Sequence, residues 1–338
     1  MDEMQGEFER IVNEAREAGN ILTDKQLSRV AQRVVRRTGA AIYRTLNQTA
    51  SDMLTERRTL RDGFEERNFR RWRKAFDLME TIWVSCEELG AAFNDHCRPQ
   101  AVEEKDYVFE AMTHLHAKAL LVTSEIICLL RGGFADGALT RWRTLFETNV
   151  VATLIRQEGQ ELALRYLAHS HVQTWNRVRN QDEKDNEYEY IRARAEFAIE
   201  KFGDELSRRN GWACAITGQK YPTFEKLVEL ANRGYAKSLY ERASLHVHSN
   251  HRPLDDLLGM CEAQDNVFLV GPSNSGMVAP LILTSLSIAE ATSLHLLVKP
   301  NLDRIILVDT IWRMANRMEK LSRSIERRTF EAAKKQKR

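Results

Sequence analysis

From Thr23 onward, apolar side chains recur every three or four residues, the spacing that lines one face of a helix. Thr23 and Gln26 in TDKQ have capping-box spacing and open a pattern of Leu27, Val30, Val34, Ile42 and Leu46. A second helix is predicted over Phe64–Phe93, ending near Arg98 and Pro99. A helix over residues 103–130 stops at Gly132 and Gly133, and Asp136 is placed to cap the next, which runs to about Gly159. Helices over residues 161–180 and 191–209 follow, separated by the acidic joint QDEKDNEYE. A loop over residues 211–222 leads to one helix over residues 224–248. The stretch Ser249–Gly276 carries Pro253, Gly259, Gly271, Pro272 and Gly276, and only VFLV, residues 267–270, is strand-like within it. The near-continuous apolar run Met277–Val298 is predicted to be a buried central helix, and a last helix covers Asp303–Lys335.

Composition supports the same class. Six prolines and 16 glycines in 338 residues are too few for a turn-rich β fold or a Gly-rich nucleotide fold. The expected architecture is all-α, a multi-helix bundle with a helical N-terminal extension. Residues 1–99 form the basic extension, residues 100–300 the bundle, and residues 301–338 a C-terminal helix with a basic tail. Met277–Val298 is long enough to span a bilayer, but it holds Pro280, Glu290 and His295, and a charge at mid-membrane costs about 2.5 kcal/mol or more. No membrane is expected as a partner. The N-terminal MDEMQGEFER is acidic where a secretory leader would be basic and then apolar, which points to the cytoplasm. Cys86, Cys97, Cys128, Cys214 and Cys261 are odd in number and never arranged as Cys-x-x-Cys, so neither a disulfide framework nor a thiolate zinc site is expected.

The net charge of +2 hides an uneven distribution. Between Arg29 and Lys74, thirteen basic residues face five acidic ones, a local charge of +8. This segment reads as a solvated helix face, or as a docking surface for phosphates or an acidic protein partner, helped by Phe69 and Trp72. Long amphipathic surfaces together with Trp72, Trp83 and Trp142 suggest a homo-oligomer.

The chemistry-bearing residues cluster in a few places. GPSNSG, residues 271–276, precedes a helix but meets neither nucleotide-binding fingerprint, so no cofactor is expected. Six of the nine histidines form His-x-His pairs: His114 with His116, His169 with His171, and His246 with His248. On a helix the members of such a pair point nearly opposite ways, so one of each is available to a common centre. No pair of Glu-x-x-His motifs accompanies them, and no metal is expected, although His248 with His251 offers a metal-binding alternative. The default for the first two pairs is packing and hydrogen bonding. The third sits in ERASLHVHSNHRP, which crowds Arg242, His246, His248, Asn250, His251 and Arg252 at a helix end. Arg143 and Glu147, four apart on an otherwise apolar helix, are predicted to form a buried structural ion pair.

Arg242 and His248 fit the Arg-x(4–6)-His spacing of the higher eukaryotes and prokaryotes nucleotide-binding domains, a helical group that includes many metal-independent ribonucleases; Arg165 and His171 share the spacing. Gly133, Gly137, Ala138, Arg143 and Glu147, followed by Ser244 and His248 and then a small-residue apolar helix, resemble the bacterial family of unknown function DUF5677 over about residues 100–300. Ala243 replaces the polar residue that often follows the arginine, and SNHRP after His248 is a further departure. The family looks related to helical abortive-infection and other phage-defence proteins. That resemblance implies a metal-independent RNase-like protein acting on RNA. His248 would be general acid or base, Arg242 the phosphate-stabilising cation, and His246, Asn250, His251 and Arg252 the substrate-binding groups. The alternative is a non-catalytic scaffold or sensor that binds a protein partner through its basic N-terminal segment.

Overall fold

The computed structural model describes residues 3–19, 22–180, 186–245, 257–262 and 268–336. The chain is all-α, a multi-helix protein with no strand among the described residues. It divides into two compact units, Met1–Glu66 and Arg67–Arg338. Eleven α-helices are described: α1 (Glu3–Glu17), α2 (Asp24–Glu103), α3 (Tyr107–Arg131), α4 (Ala135–Glu158), α5 (Gln160–Val178), α6 (Asn186–Phe202), α7 (Cys214–Thr217), α8 (Phe224–Leu230), α9 (Lys237–Leu245), α10 (Val278–Leu296) and α11 (Leu302–Gln336).

The N-terminal unit holds α1 and the first part of α2. Thr23 starts α2 as expected: its N–H donates to Gln26 Oε1 at 2.8 Å, supplying half of the capping box. Through Ala41–Thr49 and Ser51–Asp62 every side chain is exposed, including Ile42, Leu46, Met53 and Leu60. The two helices expected between Thr23 and Pro99 are one, because neither Gly39 nor Gly63 interrupts the i to i−4 ladder. Pro99 also lies inside α2, near its C-terminal end, where few turns remain to be disturbed.

In the second unit, Trp72, Ala75, Phe76, Met79, Ile82 and Cys86 recur at helical spacing along α2, and all are fully buried. Burying each of the larger apolar chains among these stabilises by about 1.5–3 kcal/mol. α3 packs on α4 and α5, and α10 packs on α3, α4 and α11. α3 starts at Asp106, whose carboxylate accepts the Phe109 N–H at 2.9 Å, and ends at Gly132, with Gly133 at φ 86°. α10 is the expected buried helix; its Ser287 accepts from the Trp142 indole at 2.9 Å. Both α3 and α10 are long and apolar enough to cross a membrane by length and composition, one helix more than the sequence pattern singled out.

Several local expectations are corrected. Trp72 and Trp142 belong to the core, and Trp72 Nε1 donates to Asn274 O at 2.8 Å, so neither offers an association or docking surface. Asp136 lies inside the first turn of α4 instead of capping it. Its carboxylate accepts the N–H groups of Leu258 and Gly259 at 2.9 and 3.0 Å, which pins the loop before α10. The single helix expected from Phe224 breaks into α8 and α9, because Asn232 adopts a left-handed φ of 55° and a 3-10 turn follows at Gly234–Ala236. Short helical turns occupy Gly211–Thr217, where a loop was expected. Phe268–Val270 form no strand.

Candidate functional site

A polar cluster joins α4 to α9. Arg143 and Glu147 stand four apart on α4, and Arg143 Nε donates to Glu147 Oε1 at 2.9 Å. Tyr240 of α9 completes the cluster. Its hydroxyl donates to Glu147 Oε1 at 2.7 Å and accepts from Arg143 Nε at 2.9 Å, while the guanidinium carbon lies 4.8 Å from its ring centroid. Phe146, one residue before Glu147, and Phe224 of α8 hold the ring, with centroids 5.6 and 5.1 Å away. Tyr240 is thereby fixed by its apolar edge and its polar tip together.

Electrostatics follow from this packing. Burial, reinforced by the Glu147 carboxylate, pushes the Tyr240 phenol up to about 12, so it is a neutral donor near pH 7. Partial burial opposes the Arg143 charge, but Glu147 and Tyr240 outweigh it and hold its pKa above the usual arginine value. The ion pair is half-buried, less than the sequence implied, with Arg143 at 24% and Glu147 at 36% side-chain exposure. It borders an open groove of about 610 Å³ that also takes in Thr140, Arg141 and Thr144. Arg141 is tied to Glu125. Arg143 commits only its Nε, and neither Nη has a hydrogen-bond partner among the described residues. A guanidinium held through its Nε at the edge of a groove is suited to a phosphate or carboxylate.

Deeper along α4, Asn149 Nδ2 donates to Glu290 Oε2 at 2.9 Å, and Glu290 is paired with Arg233, both side chains under one fifth exposed. Arg233 also donates to Thr153 Oγ1 at 3.1 Å. This network clamps α10 and the turn between α8 and α9 to α4, and so sets the position of α9 and Tyr240.

Of the residues singled out in the sequence, Arg242 is exposed on α9, two positions past Tyr240 and so on a nearly opposite face from it. His246, His248, Asn250, His251 and Arg252 lie outside the described residues. Ser244 donates to Tyr240 O at 2.8 Å within α9. The other two His-x-His pairs split as a helix demands. His116 is buried, bonded to Thr292 Oγ1 at 3.0 Å and stacked on His295 at 4.8 Å. His169 is buried against Arg208 O at 2.8 Å. Their partners His114 and His171 line a groove between α3, α5 and α6. Cys261, Glu262 and Glu326 have ligand atoms within 4.8 Å of one another. They are a poor metal set: Glu262 is bound to Arg71, and burial with the two carboxylates raises the Cys261 thiol, which disfavours the thiolate.

Residues 109–266 match the model of the family of unknown function DUF5677. The matched stretch contains Gly133, Arg143, Glu147, Tyr240 and Ser244, and it is narrower than residues 100–300. No curated protein and no solved structure matches the chain.

Proposed function

We propose that the protein is a metal-independent, RNase-like helical protein that acts on RNA. The observation that carries this reading is the Arg143–Glu147–Tyr240 cluster: it gives a groove a preorganised cation and anchors α9. In the proposed reaction the 2′-oxygen attacks the adjacent phosphorus as its proton passes to a base. The phosphorus–O5′ bond breaks, the leaving oxygen takes a proton, and a 2′,3′-cyclic phosphate remains. His248 moves the proton, Arg143 stabilises charge on the phosphorane, and Arg242, on another face of α9, holds the strand with His246, Asn250, His251 and Arg252. A place in phage defence belongs to the same reading, through the likeness of the family to helical abortive-infection proteins.

The test is purified protein with total RNA in EDTA, beside Arg143→Ala and His248→Ala. Wild type should cut the RNA, and each variant should lose about 100-fold in rate. Intact RNA with the wild-type protein overturns the reading. The N-terminal unit favours a second reading, a scaffold or sensor, because Arg29, Arg33, Arg36 and Arg37 are exposed along α2 together with Val35, Ile42 and Leu46. That reading predicts salt-sensitive binding to polyglutamate, lost in Arg36→Glu/Arg37→Glu.

A further inference from the structure

A second groove, about 630 Å³ in volume, lies between α3, α5 and α6, away from the Arg143 cluster. Tyr190, Arg194, Phe197 and Lys201 follow one another on α6 at steps of four, three and four, so they share one helix face. That face alternates aromatic rings with cations. Tyr190 and Phe197 are 59% and 65% exposed, large apolar surfaces left in water beside positive charge. The Arg194 guanidinium lies 5.3 Å from the Tyr190 ring centroid and donates to its hydroxyl at 2.6 Å, which holds the cation next to the ring plane. His171 of α5 and His114 of α3 face the same space. Burial and the charge of Arg194 lower the pKa of His171, so it stands near pH 7 as a neutral ring with one donor and one acceptor. The single acid in the lining, Glu110, is already engaged by Arg98 at 3.0 Å and His114 at 3.1 Å.

The groove therefore asks for a ligand that is flat and apolar on one part and anionic on another. We propose that it binds a nucleotide unit, with the base stacked on Phe197 and Tyr190 and the phosphate held by Arg194 and Lys201. Stacking on exposed rings, with lysine and arginine taking the backbone, is how unpaired strands are held without sequence preference. A free nucleotide and one unit of an unpaired strand share this chemistry. The site is independent of the ribonuclease reading, since it uses neither Arg143 nor His248.

The experiment is fluorescence polarisation of a fluorescein-labelled single-stranded oligodeoxyadenylate with the full-length protein in EDTA. DNA lacks the 2′-hydroxyl, so binding is read without any cleavage. Unlabelled AMP is titrated separately by calorimetry. Phe197→Ala should weaken strand binding about tenfold. Arg194→Glu/Lys201→Glu should weaken it further and lower the salt dependence by about two counterions. Arg192→Glu, on another face of α6, should bind as wild type. The substituted side chains on α6 are exposed, so unchanged thermal melts are expected to accompany the losses. Binding of both probes shows that one nucleotide suffices, and binding of the strand alone shows that neighbouring units are needed. Binding of neither probe, or equal weakening by Arg192→Glu, overturns the proposal.

Discussion

Acidification should destabilise the second unit through its buried histidine pair. His116 and His295 stack at 4.8 Å inside the core, and Gly90 of α2 lies against the His116 ring. Burial pushes His116 down to about 4, and burial together with the charge of His116 pushes His295 down to about 3. Above pH 6.5 both rings are neutral folded or unfolded, and stability is at its full value. Below 6.5 the unfolded chain gains protons that the folded core refuses, so stability falls through the window from 6.5 to about 4. For His116 alone the loss is about 2 kcal/mol at pH 5 and about 3 kcal/mol at pH 4. His295 adds less than its own full value, because the two protons repel. Urea melts followed by circular dichroism at pH 7 and pH 5 measure the effect on wild type and on His116→Gln. The wild-type midpoint should drop, and the drop should shrink in the variant. An equal drop in both proteins would refute the assignment.

Other substitutions separate packing from chemistry. Glu290→Ala leaves Arg233 and Asn149 without their shared partner, and thermal denaturation should show a loss of about 3 kcal/mol. Gly90→Ala would bring a Cβ within 2.3 Å of His116 Cε1, and the urea midpoint should report about 1–3 kcal/mol of overpacking. Asp136→Ala strips the acceptors from the Leu258 and Gly259 N–H groups; hydrogen exchange at those two amides should accelerate, with about 1–3 kcal/mol lost. Tyr240→Phe keeps the ring against Phe146 and Phe224 and removes only the hydroxyl. It should cost at most about 1.5 kcal/mol in a thermal melt, yet lower RNA cleavage far more.

Much of the fold was legible because helices announce themselves locally. Thr23 with Gln26, and Gly132 with Gly133, mark ends that depend only on nearby backbone groups. Misreadings arose where local signals competed. Nothing between Leu46 and Phe64 looks like a core face, yet the helix continues there with its apolar side chains in water. The Asn232 turn is a single backbone conformation inside an otherwise helical pattern. Asp136 resembled a cap because the loop it serves lies more than 120 residues away. The site divides in the same way. Arg143 and Glu147 could be paired from their spacing, whereas Tyr240 lies 97 residues from Arg143 and carries no local mark of the contact. His114 and His171 were separable from their buried partners by helical geometry, but their shared groove depends on how α3, α5 and α6 pack.

The chemistry proposed for the α4–α9 cluster is tested most directly by the ends of the RNA fragments produced in EDTA. The account predicts 2′,3′-cyclic phosphate or 3′-phosphate termini opposite 5′-hydroxyls, from wild type and not from Arg143→Ala. Uncut RNA, or fragments ending in 3′-hydroxyl and 5′-phosphate, would contradict it.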